Sequence, residues 1–254
     1  MKIFGVINID IMDSRNLTNR KFIQNELRNY INKLNIELKD ILLCPITMTL
    51  GDEWQIVLKD ISKSYRVIRI FQNFLYKYNI HIYAGIGVGS ISTEVYNDSR
   101  LMDGECFIKA REALNTTKNK NRFYNKKLNS TKNNIYFNAK EIGFVNETKE
   151  SFILPEVAVT SDLSMEKQLS VNKIINSFIE NNEVIKSRVT NKQLEIIQLY
   201  ERLGSYNNIV KNNKDTSKAD ISQKLNASNY FVINNNNLII ELLLNLYLNF
   251  RRYN

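Results

Sequence analysis

Apolar and polar positions along the first third of the chain fall into blocks that predict a definite order of elements. "KIFGVINID" (Lys2 to Asp10) is apolar at nearly every position until it closes on an acid. That is the pattern of a central strand covered on both faces. "DSRNLTN" supplies turn and N-cap residues, and "RKFIQNELRNYINKLNIEL" then carries Phe22, Ile23, Leu27, Tyr30, Ile31 and Leu34 at helical spacing. A strand from about Leu42 to Leu50 follows, then a turn at Gly51-Asp52-Glu53 and a return strand through "WQIVL". "SKSYRVIRIFQNFLYKYN" predicts a second amphipathic helix through Val67, Ile70, Phe71, Phe74 and Leu75, and "IHIYAGIGVGSIST" another strand. The order strand, helix, hairpin, helix, strand is a split β-α-β arrangement, with helices expected over one face of a sheet. It sets the end of the first strand beside the hairpin tip, so Asp10 and Asp52 are expected to converge.

The second half is helical. "MEKQLSVNKIINSFIENNEVI" and "TNKQLEIIQLYERLG" predict helices, the latter closed by Gly204, and Pro155 marks a domain boundary, 1–155 against 156–254. In "ADISQKLNASNYFVINNNN" the positions Ile221, Ser222, Leu225, Asn226, Ala227, Ser228 and Val232 fit a helix-turn-helix. Asn226 stands at the turn where glycine is common. Ser228, Asn229, Asn234 and Asn235 would then open a recognition helix and offer groups suited to base edges, although such tri-helical folds also serve protein contacts only. The final helix carries Asn237, Glu241, Asn245 and Asn249 on an otherwise apolar surface. So narrow a polar stripe implies burial nearly all round, with a homodimer as the means.

Composition narrows the chemistry. A 254-residue chain with 43% hydrophobic content can bury a sizeable core. Its longest apolar stretch, "LIIELLLNLYLNF", is too polar to span a bilayer, and a cytoplasmic protein is expected. Cys44 and Cys106 make no disulfide framework, and with His81 as the one histidine no zinc set can be assembled. A His-based triad would need His81, which the strand pattern makes a packed or edge residue. Net charge is +9, and residues 156–254 hold 12 basic and 10 acidic side chains, a weak footprint for DNA. Six basic residues and no acid lie in "KNKNRFYNKKLNSTK" (Lys118 to Lys132), which fits a solvated loop better than a phosphate-binding run.

What remains is carboxylate chemistry. The stretch "TMTLGDEWQIVL" puts two adjacent acids, Asp52 and Glu53, at a glycine turn. A plain hairpin tip accounts for that by itself. Convergence with Asp10 adds a reason for a divalent cation, because paired carboxylates repel unless something cationic sits between them. Asp13 either caps the following helix or joins the outer ring of such a site. Gly85, Gly87 and Gly89 lack dinucleotide-fingerprint spacing and continue as a strand, so they allow close approach of a partner strand, a subunit or a ligand.

"NIDIMDSR", "TLGDEWQ", "YAGIGVGSIST" and "DGECFIKAREAL" together resemble the SatD family of bacterial proteins over most of the chain. Parts of the pattern are also similar to class III nucleotide cyclases and to the GGDEF turn of diguanylate cyclases. The resemblance implies an α+β chain: a ferredoxin-like, nucleotide-cyclase-like palm followed by an all-α helix-turn-helix domain. It implies Asp10, Asp52, Glu53 and Arg111 as catalytic candidates and Mg²⁺ or Mn²⁺ on Asp10, Asp52 and the Ile11 carbonyl. Ile11, Ser14, Arg15 and Lys109 are the cofactor-binding candidates, for a nucleoside triphosphate or cyclic nucleotide. Phe107 stands where class III cyclases usually carry asparagine, and Leu50 where diguanylate cyclases have a second glycine. Lys109 and Arg111 can serve phosphate or form surface ion pairs with Asp103, Glu105 and Glu112. The competing expectation is a non-catalytic regulator that binds DNA or a partner protein through its C-terminal half.

Overall fold

The computed structural model describes residues 2–119, 127–142, 169–213 and 215–253. The 155/156 boundary and residues 120–126 of the basic run lie outside them. The chain is α+β, with a five-stranded mixed sheet and a C-terminal helical region. Strands β1 (Phe4–Ile11), β2 (Thr47–Met48), β3 (Glu53–Leu58), β4 (Ile82–Gly89) and β5 (Ile135–Asn138) take the spatial order β2-β3-β1-β4-β5. All neighbours are antiparallel except β4 and β5. Helices α1 (Arg20–Glu37) and α2 (Ser64–Tyr76) follow the expected order, and α3 (Glu105–Lys118) follows β4.

Two local expectations need correction. The first hairpin strand is only the pair Thr47–Met48, because Pro45 has no N–H to donate and interrupts the ladder. Pairing resumes on its other side through the Leu42–Leu58 bridge and the bond from Leu43 N to the Val57 carbonyl. In α1 the buried positions are Ile23, Leu27, Ile31 and Leu34, each worth about 1.5–3 kcal/mol of burial. Phe22 lies outside that stripe, 54% exposed, with its ring edge-on to Tyr78.

Helices cover both faces of the sheet, not one. Side-chain alternation sends Ile7 and Ile9 of β1, with Trp54 and Ile56 of β3, into a core shared with α1 and α2. That core also takes in Val171, Ile175 and Ile179 of α4 (Val171–Lys186) and Ile240, Leu244 and Tyr247 of α8 (Tyr230–Tyr253). Chain from either side of residue 156 therefore shares one hydrophobic core. The opposite face carries Phe4, Val6 and Val57, closed by Cys106, Phe107 and Ala110 of α3.

The glycines of β4 explain how α3 sits so low. A Cβ on Gly87 would lie 2.1 Å from the Ala110 nitrogen and 2.2 Å from the Cys106 carbonyl oxygen. One on Gly85 would lie 2.2 Å from the Leu114 nitrogen. The close approach expected at these glycines is made by a helix of the same chain.

Helices α5 (Asn191–Leu203), α6 (Tyr206–Asn212) and α7 (Lys218–Ala227) gather Ile196, Ile197, Ile209, Ile221 and Leu225 into a smaller cluster that Tyr230 of α8 completes. A capping box at Thr190 and Gln193 starts α5, and Gly204 ends it at φ 73°. The left-handed residue between α7 and α8 is Asn229, φ 53°, and not Asn226, which stays within α7. Nor is α8 buried all round. Leu238, Leu242 and Leu246 form an exposed row, because α8 contacts the sheet core and the helical cluster along one side only. None of the described helices is long and apolar enough to cross a membrane.

Candidate functional site

On the α3 face, β1 and β3 are matched residue by residue. Val6 pairs with Val57, Asn8 with Gln55, and Asp10 with Glu53. Because side chains alternate, these three pairs share one face and run from apolar to amide to carboxylate toward the end of β1. The amide pair is buried and satisfied, with Gln55 Nε2 donating to Asn8 Oδ1 at 2.9 Å. β4 continues the row with Gly87, Gly85 and Tyr83, so Tyr83 stands beside Asp10.

The cross-strand partner of Asp10 is therefore Glu53, while Asp52 lies one residue back in the turn and off the row. Asp52 accepts a hydrogen bond from the buried Ser14 hydroxyl and lies 3.7 Å from Arg20 Nη2. Ile11 N donates to the Asp52 carbonyl at 3.1 Å, tying strand end to turn. Asp52 and Glu53 both act electrostatically on Asp10. The sequence-level convergence of the acids is present, with Glu53 as the closer companion in register.

The chain's own cations answer these charges. Arg111 makes a two-pronged contact with Glu53, 2.9 Å from Oε2 and 2.7 Å from Oε1. Lys118 Nζ lies 2.7 Å from Asp10 Oδ2 and 4.0 Å from Glu53 Oε2. The Thr49 hydroxyl also donates to Glu53 Oε1 at 3.1 Å. Glu53 is the most enclosed of the three acids, with 4% of its side chain accessible against 17% for Asp10 and 24% for Asp52. Three acids thus face three cations, and the repulsion between carboxylates is met by protein groups.

Burial pushes the Asp10 carboxyl above its ordinary value, outweighing the opposing pull of Lys118, and Asp52 and Glu53 push it the same way. Hydrogen bonding to Glu53 raises Arg111. Since the folded carboxyl titrates above the unfolded one, protonation stabilises the fold at low pH, and that contribution is lost as pH rises through the folded value. Ionised Asp10 is therefore a liability at neutral pH. Asp10→Asn, which keeps an oxygen for Lys118, is expected to melt a few degrees higher than the parent at pH 7. The gain should shrink as pH falls toward 4. Melting curves across that range check it; a lower melting point at pH 7 would mean the Lys118 pair outweighs burial.

The other expected site residues scatter. Arg15 is exposed in the turn after β1, and Asp13 leads that turn at φ 50° with no side-chain capping bond. Lys109 is paired with Glu105 at 2.8 Å, toward the other end of α3. His81 is exposed, and its carbonyl accepts from Met12 N. Cys44 and Cys106 are buried free thiols, raised by burial to about 11 and about 12. In the C-terminal half Ser228 is buried and donates to the Leu225 carbonyl, whereas Asn229, Asn234 and Asn235 are exposed. They share the surface with Phe231 and Val232.

Sequence reasoning missed Lys118, Arg20, Asn8 and Gln55. Lys118 had a readable signal: it stands seven residues after Arg111, two helical turns on, and so on the same face. Its place at the head of a basic run disguised it as loop.

A family model described as the SatD family matches residues 4–140. The chain belongs to the SatD family. The matched span begins at β1 and ends just after β5, so it contains the sheet, α3 and every acid and cation of the cluster. No curated protein matches the chain.

Proposed function

We propose that this SatD-family chain binds a nucleotide together with a divalent cation at the strand-end acids of a palm-like, ferredoxin-type sheet. The observation that carries the reading is the graded row ending in Asp10 and Glu53, with Asp52 in the adjoining turn and Arg111, Lys118 and Arg20 around them. The order β2-β3-β1-β4 and the helices after β1 and β3 support the palm assignment.

The donor set suits Mg²⁺ held jointly with phosphates. Among the described residues no three acids, histidines or cysteines are grouped closely enough to cage a metal. Mg²⁺ characteristically takes one or two carboxylates and completes its shell with water and substrate phosphates. Asp10 and Asp52 would hold it, with the Ile11 carbonyl; once bound, the cation neutralises phosphate charge and acidifies an attacking hydroxyl. Lys118 and Arg20, each already beside one of these acids, would turn to the phosphates. Arg111 holds Glu53 in place. Phe107, at the cyclase asparagine position, is buried against the sheet and offers no amide to a ribose. Binding without turnover is accordingly preferred over cyclisation.

Thermal stability of the purified protein, followed with Mg²⁺ or Mn²⁺ plus each nucleoside triphosphate, tests this reading. Stabilisation should require both metal and nucleotide and should vanish in Asp52→Ala. A shift of more than about 2 kcal/mol is expected at a hundredfold excess over Kd. If no triphosphate moves the melting point, the acids are only a charge-balanced turn.

The same reading includes a homodimer closed over the outer row of α8. From Phe231 to Asn249 the one charge on that helix is Glu241, held 2.6 Å from Lys63. An uncharged apolar row is where two copies of a +9 chain can meet with least repulsion. Leu242→Asp is expected to turn a dimer into a monomer in sedimentation velocity; a parent that sediments as a monomer removes this part. The alternative, a regulator acting through DNA, has less behind it. Its Ser228 is turned inward, and no basic residue lies in the stretch from Ser228 to Asn249 that carries its exposed amides.

A further inference from the structure

A cavity of about 450 Å³ lies on the other side of the sheet end from Glu53 and Arg111. Its walls come from α2, the start of β4, residues 131–134, the end of α4, α5 and the start of α8. It thus opens where the sheet unit meets the helical cluster. The volume is that of a site for one drug-sized molecule.

The wall chemistry selects an occupant. Ile80, Ile82, Leu194, Ile197 and Ile233 supply an apolar lining, and the rings of Tyr76 and Tyr230 border it. Against this stand charged groups held in fixed pairs. Lys186 Nζ lies 2.6 Å from Glu183 Oε1 and donates to Gln72 Oε1, while Arg69 is 3.1 Å from Glu201. Those pairs cancel one for one. The unpaired charged residue left at the cavity is Lys132, exposed at its rim, which makes no ion pair among the described residues. The wall is therefore apolar and ring-lined within, neutralised in its paired charges, and positive at one point of its margin.

We infer that this cavity binds a small ring-bearing monoanion, its apolar body between α2 and α5 and its anionic group toward Lys132. Such a molecule would touch elements from both halves of the chain at once. Met12 and His81 also line the cavity, and Met12 lies two residues from Asp10 on the same strand end. The site is chemically separate from the acid cluster, because none of Asp10, Asp52, Glu53, Arg111 and Lys118 lines it.

Two dyes test the inference, 8-anilinonaphthalene-1-sulfonate and its uncharged counterpart N-phenyl-1-naphthylamine. Both should bind the native full chain saturably at a single site, with the sulfonate several-fold tighter. Ser187→Trp, an exposed change at the cavity wall, should abolish both signals while circular dichroism stays native. Lys132→Glu should erase the preference for the sulfonate and leave the neutral dye bound. Asp52→Ala should change neither. Signals that survive Ser187→Trp would put the dyes elsewhere, on the α8 row for example, and would overturn the site. Equal affinity for the two dyes, or a preference untouched by Lys132→Glu, would overturn the anionic class.

Discussion

Gly87→Ala is expected to destabilise the protein by about 3 kcal/mol or more, the upper end of what overpacking a core produces. The added methyl would stand 2.1 Å from the Ala110 nitrogen and 2.2 Å from the Cys106 carbonyl oxygen. Both are backbone atoms of α3, and no rotamer change can move them aside. The helix must lift from β4, opening the interface that buries Cys106, Phe107 and Ala110. A loss of that size is a large part of a typical total of 5–15 kcal/mol. The damage also reaches the acid cluster, because α3 carries Arg111 and Lys118. Urea denaturation measures it as a lower midpoint at unchanged slope. Two other glycines serve as contrasts. A methyl at Gly51 would meet the flexible end of Gln24 at 2.9 Å, and one at Gly204 would meet nothing within 4 Å. Gly204→Ala should cost only the strain of its φ of 73°, about 1–2 kcal/mol. A Gly87→Ala midpoint close to the parent's would mean α3 packs less tightly than the geometry requires.

Arg111→Ala should have the second largest effect, about 2 kcal/mol. Two limits bracket that figure. A solvent-exposed ion pair contributes roughly 0–1 kcal/mol, whereas a buried charge stripped of its partner costs about 3–5. This pair is mixed: the Glu53 side chain is 4% accessible, Arg111 46%. Truncation leaves an enclosed carboxylate with Thr49 and a Lys118 ammonium 4.0 Å away, while water screens part of the arginine's contribution. Adding Glu53→Gln to the variant should recover most of the loss, since the orphaned charge is then gone. The double-mutant cycle in urea therefore reads the pair directly. It also separates two roles for Arg111. If the single variant keeps its stability but loses metal-dependent nucleotide binding, the guanidinium serves the ligand and Glu53 only parks it.

Much of this was legible beforehand, for identifiable reasons. Burial of Ile23, Leu27, Ile31 and Leu34 follows from a period of 3.6 written into the chain. The continuous apolar run of β1 announced a central strand, and the run of strand, helix, hairpin, helix and strand was readable from where the periodicity switches. The acids at the end of β1 and in the GDE turn stood out because charge is rare beside such runs. All of these signals are local: each needs only a dozen neighbouring residues.

Non-local decisions were not legible. Asp10 faces Glu53 and not Asp52 because strand register sets the pairing, and a shift of one residue exchanges the faces. Lys118 reaches Asp10 because α3 lies across β1 and β4, a docking set by the absence of side chains on Gly85 and Gly87. The same spacing in the sequence admitted a ligand or a second subunit. α4 and α8 return to the sheet core although a proline and the helical stretch after it suggested a separate domain. The cavity near Lys132 draws its walls from segments as far apart as Met12 and Ile233, so no window of the sequence contains it. Periodicity along the chain determined which elements form and which side each one buries. Only the packed molecule decided which buried sides meet, because that depends on volumes and charges brought together from distant parts of the chain.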